Sequence, residues 1–207
     1  MPKVNEGNFY KTINRAIAEG RHVAQLKEII KDFEEYKRIF AENFSDQSPK
    51  QAVYKFRAIY LLKKATWREI EILGEQTFCD LAEMIIGSMG WLNDHMHGFE
   101  LTAPKPDPRR MGLCLTIFAP GWEDDSYPTF KSDEVKISDL DYAKQPKLRF
   151  MFDYGDGHEF KIEFKGTRVL DKHEKSPYFP RLTDQRGVTP EQYPGWDELE
   201  EEESLKK

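Results

Sequence analysis

At 207 residues, 33% charged, 39% hydrophobic and 13% aromatic, the chain is sized for one globular domain plus an appendage, with enough large rings to build a core. The formal charge of −6 falls heavily on the carboxyl end, where Asp197, Glu198 and Glu200 to Glu203 place six acids within eleven residues; the near-neutral body that remains disfavours general nucleic-acid binding. Cys79 and Cys114 are too few and too far apart for a zinc ribbon or disulfide framework, and with no apolar leader or membrane-length apolar run the chain is expected to be cytoplasmic and free of the membrane.

From Asn8 to Phe44 the apolar residues Val23, Leu26, Ile30, Phe33, Phe40 and Phe44 recur at helical spacing. Gly20 is expected to divide a first short helix, carrying Ile13, Ala16 and Ile17, from a longer second one. The stripe is read as docking on the rest of the chain; a homodimer seam is the alternative, with only about three heptad-like repeats to support it. Ser45 to Lys50 is turn-rich, and the organisation is taken as a helical arm over 1–50, a domain over 51–196 and a disordered acidic tail over 197–207.

Val53 to Leu62 and Trp67 to Leu73 read as two strands joined at Lys63-Lys64. Thr77 opens a helix, with Asp80 in the capping-box position and Phe78, Leu81, Ala82, Ile85 and Met89 on one face. In GWLNDHMHGFEL, His95, His97 and Phe99 are expected on one face of a strand. A proline-rich loop from Thr102 to Arg110 precedes a strand at Met111 to Phe118. A polar turn region at Ala119 to Ser132, a short strand at Glu134 to Ile137 and a helical turn at Ser138 to Leu140 follow.

Around KLRFMFDYGDGHEFKIEF, period-two alternation on both sides of the glycines predicts a hairpin. A two-residue loop would oppose Phe152 to Lys161 and split each apolar stripe, so an odd loop is required, either Gly155 to Gly157 or Asp156 to His158. Asp153 then joins Arg149, Lys161 and Glu163 off the apolar face, and Asp156 and His158 sit at the tip. The second strand is expected to run on to Leu170. In Ser176 to Trp196, aromatics interleaved with prolines suit an extended segment laid across a sheet face.

Three blocks in this order, YKFRAIYLL with TWREIEI and the TFCDLAEMI helix, then GWLNDHMHGFEL, then FMFDYGDGHEFKIEF, resemble the plasmid pRiA4b ORF-3-like family, some of whose members carry a transposon-passenger (TnpR-like) label. The resemblance covers about residues 51–196. It implies an α+β domain: a curved, mostly antiparallel sheet with a packed helix, here preceded by the helical arm. It implies no established reaction. Where the family's hairpin carries tryptophan and then histidine, this chain has His158 and Phe160. Leu182 stands at a family cysteine position, and Thr189-Pro190-Glu191-Gln192 replaces a proline-proline-glutamate-aspartate run, so a metal site built on that cysteine or aspartate cannot form here.

Phosphate-loop, dinucleotide, nucleophile-elbow and paired-cysteine motifs are absent from the sequence. The polar residues that could converge are His95, His97, Asp153, Asp156 and His158. Two readings follow from them. One is a non-catalytic binding or interaction module, cofactor-free and linked to mobile elements through the family label, with a protein or small molecule held between the sheet and the proline-aromatic segment. The other is a metal-dependent hydrolase in which His95, His97 and Asp153 hold zinc or manganese. The bland alternative for each residue weighs against the second: histidines in structural hydrogen bonds, turn chemistry at Asp156-Gly157, and a cross-strand Asp153–Lys161 pair.

Overall fold

The structure, a computed structural model, describes residues 6–45, 48–102, 116–121 and 130–193. Two helices, α1 (Phe9–Ala18) and α2 (Val23–Ala41), come first. The strands are β1 (Ala52–Tyr60), β2 (Trp67–Leu73), β3 (His97–Leu101), β4 (Thr116–Phe118), β5 (Phe130–Lys131), β6 (Lys147–Phe152), β7 (His158–Val169) and β8 (Arg181–Arg186), with α3 (Phe78–Ser88) between β2 and β3. They form one eight-stranded open sheet in the order β5-β4-β3-β6-β7-β1-β2-β8, antiparallel except at β4–β5. The fold class is α+β.

The β6–β7 hairpin organises the sheet. Its register opposes Leu148 to Ile162, Phe150 to Phe160 and Phe152 to His158, so the apolar stripe stays on one face. The odd parity required by the sequence holds, but five residues, 153–157, connect the strands rather than three. The extra length comes from Asp153, which leaves the ladder in a left-handed conformation (φ 53°) and accepts from the Gly157 amide through its carbonyl at 2.6 Å. Aspartate tolerates that conformation because its short carboxylate bonds locally, here to the amides of Gly155 and Asp156 at 2.9 and 3.3 Å.

Facing positions on β3, β6, β7 and β1 carry a continuous row of rings. Phe99, Phe150, Phe160 and Tyr60 are neighbours by register, with centroids 4.6, 5.8 and 5.1 Å apart in turn. Helix α3 closes this face with Phe78, Leu81, Ala82 and Ile85, all fully buried. Phe78 meets Phe99 edge-on at 5.1 Å. Each such ring pair adds about 1 kcal/mol beyond the burial itself. The helix begins where Thr77 and Asp80 form the reciprocal capping box, Thr77 Oγ1 accepting from the Asp80 amide at 3.2 Å and Asp80 Oδ2 from the Thr77 amide at 2.7 Å.

The helical arm breaks at Gly20 (φ 73°) and packs on the body. Phe9, Ile13, Phe33 and Phe44 belong to the same buried cluster as the sheet and α3. At the joint, the amide of Ser45 donates to Asp139 O at 2.8 Å, and Gln145 Nε2 donates to Asn43 Oδ1 at 2.9 Å.

Four expectations need correction. Residues 134–137 form no strand: they turn into a short 3-10 helix at Ile137–Asp139, and β5 lies instead at Phe130–Lys131, inside the stretch read as a polar turn. The proline-aromatic segment does not lie across a sheet face. Its Arg181–Arg186 portion pairs with β2 and makes the sheet edge, leaving only Phe179 to cap the outer face over Val53 and Leu73. His95 precedes β3 and so does not share a strand with His97. Cys79, whose apolar neighbours in the sequence suggest a buried thiol, is half-buried, and burial, followed by the Glu83 charge, raises its thiol pKa. The expected strand before Thr116, together with Cys114, Trp122, Trp196 and the acidic tail, lies outside the described residues.

Candidate functional site

The sheet end at which β3 begins and β6 turns into β7 gathers most of the predicted polar residues. In register terms His97, Phe152 and His158 are directly opposed across three adjacent strands and share the core face. Strand alternation therefore sends both imidazoles inward. His97 is 3% exposed, and its Nε2 lies 3.0 Å from Ser132 Oγ. Burial pushes its pKa down to about 4, so the ring is neutral at ordinary pH.

His158 is likewise not at the hairpin tip. It is 4% exposed, with Trp91 packed against it at 4.2 Å between centroids. Its Nε2 lies 2.9 Å from the carbonyl of Gln192, and its Nδ1 lies 3.2 Å from the Tyr60 hydroxyl. A carbonyl only accepts, so Nε2 carries the proton, and in the neutral ring Nδ1 accepts from Tyr60.

The residues that do meet at the surface are His95 and Asp153. Asp153 Oδ2 lies 3.4 Å from His95 Nε2, with the carboxylate 7% exposed and the imidazole 48% exposed. Lys161, the expected cross-strand partner of Asp153, pairs with Glu163 instead. The backbone fixes this approach, because the Asp153 amide donates to Met96 O at 3.0 Å and so ties the hairpin loop to the segment carrying His95.

A third segment, 190–193, completes the end; it belongs to the proline-aromatic stretch expected to border a binding groove, although no pattern in it marked Gln192 or its partners. The Gln192 carboxamide grips the Leu92 backbone in both directions: Oε1 accepts from Leu92 N at 2.7 Å, and Nε2 donates to Leu92 O at 3.0 Å. Asp94 Oδ1 accepts from Gln192 Nε2 at 3.1 Å and from the Tyr193 hydroxyl at 3.0 Å. The Tyr193 ring stands edge-on to His95 at 6.0 Å. Its hydroxyl pKa is raised to about 12, by desolvation first, then by the bond to Asp94 and the charges of Asp94, Asp153 and Asp156. Leu92 is 68% and Tyr193 44% exposed beside these groups, and Asp156 is exposed at the tip.

The predicted metal set does not assemble. His97 and His158 are committed to buried partners, and among the described residues no group of three or more histidine, cysteine, aspartate or glutamate side chains is placed to hold a metal ion. What remains is a rigidly framed polar and aromatic surface with one solvent-facing imidazole.

Such a fold, an open and mostly antiparallel sheet with α3 packed on one face, is of the α+β class. Residues 55–202 match the model of the plasmid pRiA4b ORF-3-like protein family, and the chain belongs to that family. No curated protein matches it. Among solved structures, a protein of unknown function from Methanosarcina mazei Go1 is similar, at 23% identity and a TM-score of 0.59 over 77% of this chain and 84% of that one; at that identity the likeness speaks for the fold alone. No helix among the described residues is long and apolar enough to cross a membrane.

Proposed function

We propose that this protein is a non-catalytic binding module whose contact surface is the loop end formed by residues 92–96, 153–157 and 192–193. One observation carries this reading: three segments distant in sequence are locked together by hydrogen bonds, and the frame they build leaves Leu92, His95 and Tyr193 facing solvent. A surface ordered before its partner arrives loses little entropy on binding, and tyrosine offers large contact area with few rotatable bonds. Among the described residues the groups gathered around the His95–Asp153 pair are the Tyr193 ring and backbone amides already bonded to Asp153, an arrangement suited to recognition.

The test is selection of short random peptides against the immobilised full chain, with the bound site mapped by backbone amide shifts. Shifts concentrated at 92–96, 153–157 and 192–193, and a loss of roughly tenfold or more in affinity for Tyr193→Ala and His95→Ala at unchanged melting temperature, are expected. Binders that map to another surface, or affinities indifferent to both substitutions, would refute the assignment.

A further inference from the structure

After β8 the chain turns at Gly187 (φ 85°) and crosses the end of the core as an extended strap, residues 187–193. Its attachment is regular. Every second carbonyl accepts from a side chain of the body: Arg186 O from Arg68 Nη1 at 3.1 Å, Val188 O from Thr66 Oγ1 at 3.1 Å, Pro190 O from Trp91 Nε1 at 3.0 Å, and Gln192 O from His158 Nε2 at 2.9 Å. A spacing of two is what an extended chain presents along one side. The four donors come from three separate stretches of the body, Thr66 with Arg68, then Trp91, then His158, and all are more than nine-tenths buried.

The strap contributes only two side-chain contacts of its own to this groove. Thr189 Oγ1 accepts from Arg68 Nη2 at 2.6 Å, and the Gln192 carboxamide pairs with the Leu92 backbone. Val188 and Glu191 face out, Val188 being 76% exposed, and Pro190 is half-buried. A segment held through its carbonyls, with little apolar burial, opens at a free energy well below that of the sheet beneath it. Recognition through main-chain groups with a few side-chain slots is also how domains take extended peptides from other proteins.

We propose that the groove lined by Thr66, Arg68, Trp91 and His158 is a binding site for an extended peptide from a partner protein, carrying a hydroxyl side chain, a proline, any residue and a glutamine in that order, and that residues 188–192 fill it as a built-in competitor. A partner's free segment displaces the strap alone, pivoting at Gly187. A strap from a second copy would arrive joined to its own β8, whose place beside β2 is already taken. The tethered strap competes at high effective concentration, so binding in trans is weak until the strap is loosened. The groove adjoins the loop-end surface proposed above and shares Gln192 and Tyr193 with it through the strap, so displacing the strap also removes Tyr193 from the loop end; His95 belongs to the loop end alone, and Thr66 and Arg68 to the groove alone.

The probe is a fluorescein-labelled peptide with the sequence RGVTPEQY, residues 186–193. In the full chain, Thr189→Ala with Gln192→Ala removes the strap's two side-chain contacts and leaves the groove untouched. This variant is expected to bind the probe roughly tenfold tighter than wild type by fluorescence anisotropy. Adding Trp91→Phe should cancel the gain, and a peptide with alanine at the threonine and glutamine positions should fail to compete. In unmodified protein, saturating probe should accelerate hydrogen exchange at amides 188–193 and leave β1, β2 and β7 protected.

Strap amides as slow to exchange as the sheet, or exchange unmoved by saturating probe, overturn the proposal even if the variants do not fold. A dimer formed by the loosened variant in place of probe binding would name a second copy as the occupant and overturn the partner reading. Probe binding that survives His95→Ala keeps this site separate from the loop end, so either one can fail without the other.

Discussion

Across the outer face of the sheet the strand carboxylates other than Asp184, which stands opposite Glu69, are matched: Glu69 to Lys55 and Arg57, Glu71 and Glu174 to Arg168 and Arg181, Glu163 to Lys161 and Lys165, and Arg149 to Glu100 and Glu159. At the loop end, Asp94, Asp153 and Asp156 have no lysine or arginine within ion-pair distance among the described residues. Strand register explains the first pattern, since directly opposed residues such as Arg57 and Glu69 or Glu71 and Arg181 are held in reach by the ladder itself. Loops have no such register, and their acids are satisfied by backbone amides and neutral donors. Apart from Asp184, the outer face is thus chemically complete on its own, while the loop end keeps charge and aromatic surface available.

Breaking that contrast should cost most where a charge is buried without a counter-ion. Arg68 is 2% exposed, among the described residues bonds only to the carbonyls of Trp67, Ser88 and Arg186 and to the Thr189 hydroxyl, and burial lowers its pKa. Arg68→Ala strands those acceptors and is expected to lose about 3 kcal/mol or more in urea unfolding. A loss under about 1 kcal/mol would mean that water substitutes freely there.

His97 sharpens the picture through pH. Its folded pKa of about 4 lies below the ordinary 6.5, so between those values the unfolded chain takes up the proton and the folded one does not. Stability is therefore full above 6.5, falls as pH drops toward 4 and levels off below it. The loss is on the order of 3 kcal/mol from this group. His97→Gln should flatten that part of the wild-type profile, and an unchanged slope in the variant would assign it to other groups.

A smaller effect is expected on the outer face. Arg168, then Arg181, hold the Glu71 carboxyl below its usual range against the opposing effect of burial. Because both guanidinium groups are more than a third exposed, Glu71→Gln should cost about 1 kcal/mol, less in high salt, with peptide binding intact. The stability from Glu71 is present above pH 4.5 and is lost as pH falls below it, since its folded pKa is the lower one. Smallest of all, Tyr193→Ala and His95→Ala should change stability by no more than about 0.5 kcal/mol while removing loop-end binding. If the outer-face change abolished binding and the loop-end change abolished stability, the contrast would be inverted.

Much of the architecture was legible beforehand. Thr77 and Asp80 announced the start of α3, Gly20 the break in the arm, and alternation in β1, β2, β6 and β7 the core of the sheet. The parity of the hairpin was legible because a one-residue slip would turn every ring outward. Its length was not, because Asp153 adopts a left-handed conformation usually left to glycine. The candidate site came through only in part. His95 and Asp153 do meet, but His97 and His158 turned inward because their strand positions oppose Phe152. Tyr193 lay in the proline-aromatic stretch the sequence marked, but Gln192 and Arg68 carried no local signal, since their partners lie about a hundred residues away in the chain.

The sequence by itself determined the three helices, the strands β1, β2, β6 and β7 with their faces, and the β6–β7 pairing, because period-two and helical spacing are local properties that hydrophobic burial enforces wherever the element sits. Only the tertiary structure decided how the remaining strands became neighbours, that β8 closes the edge, and that the following strap is read through its carbonyls. Those outcomes depend on backbone groups, which are identical at every residue and leave no mark in the order of the side chains.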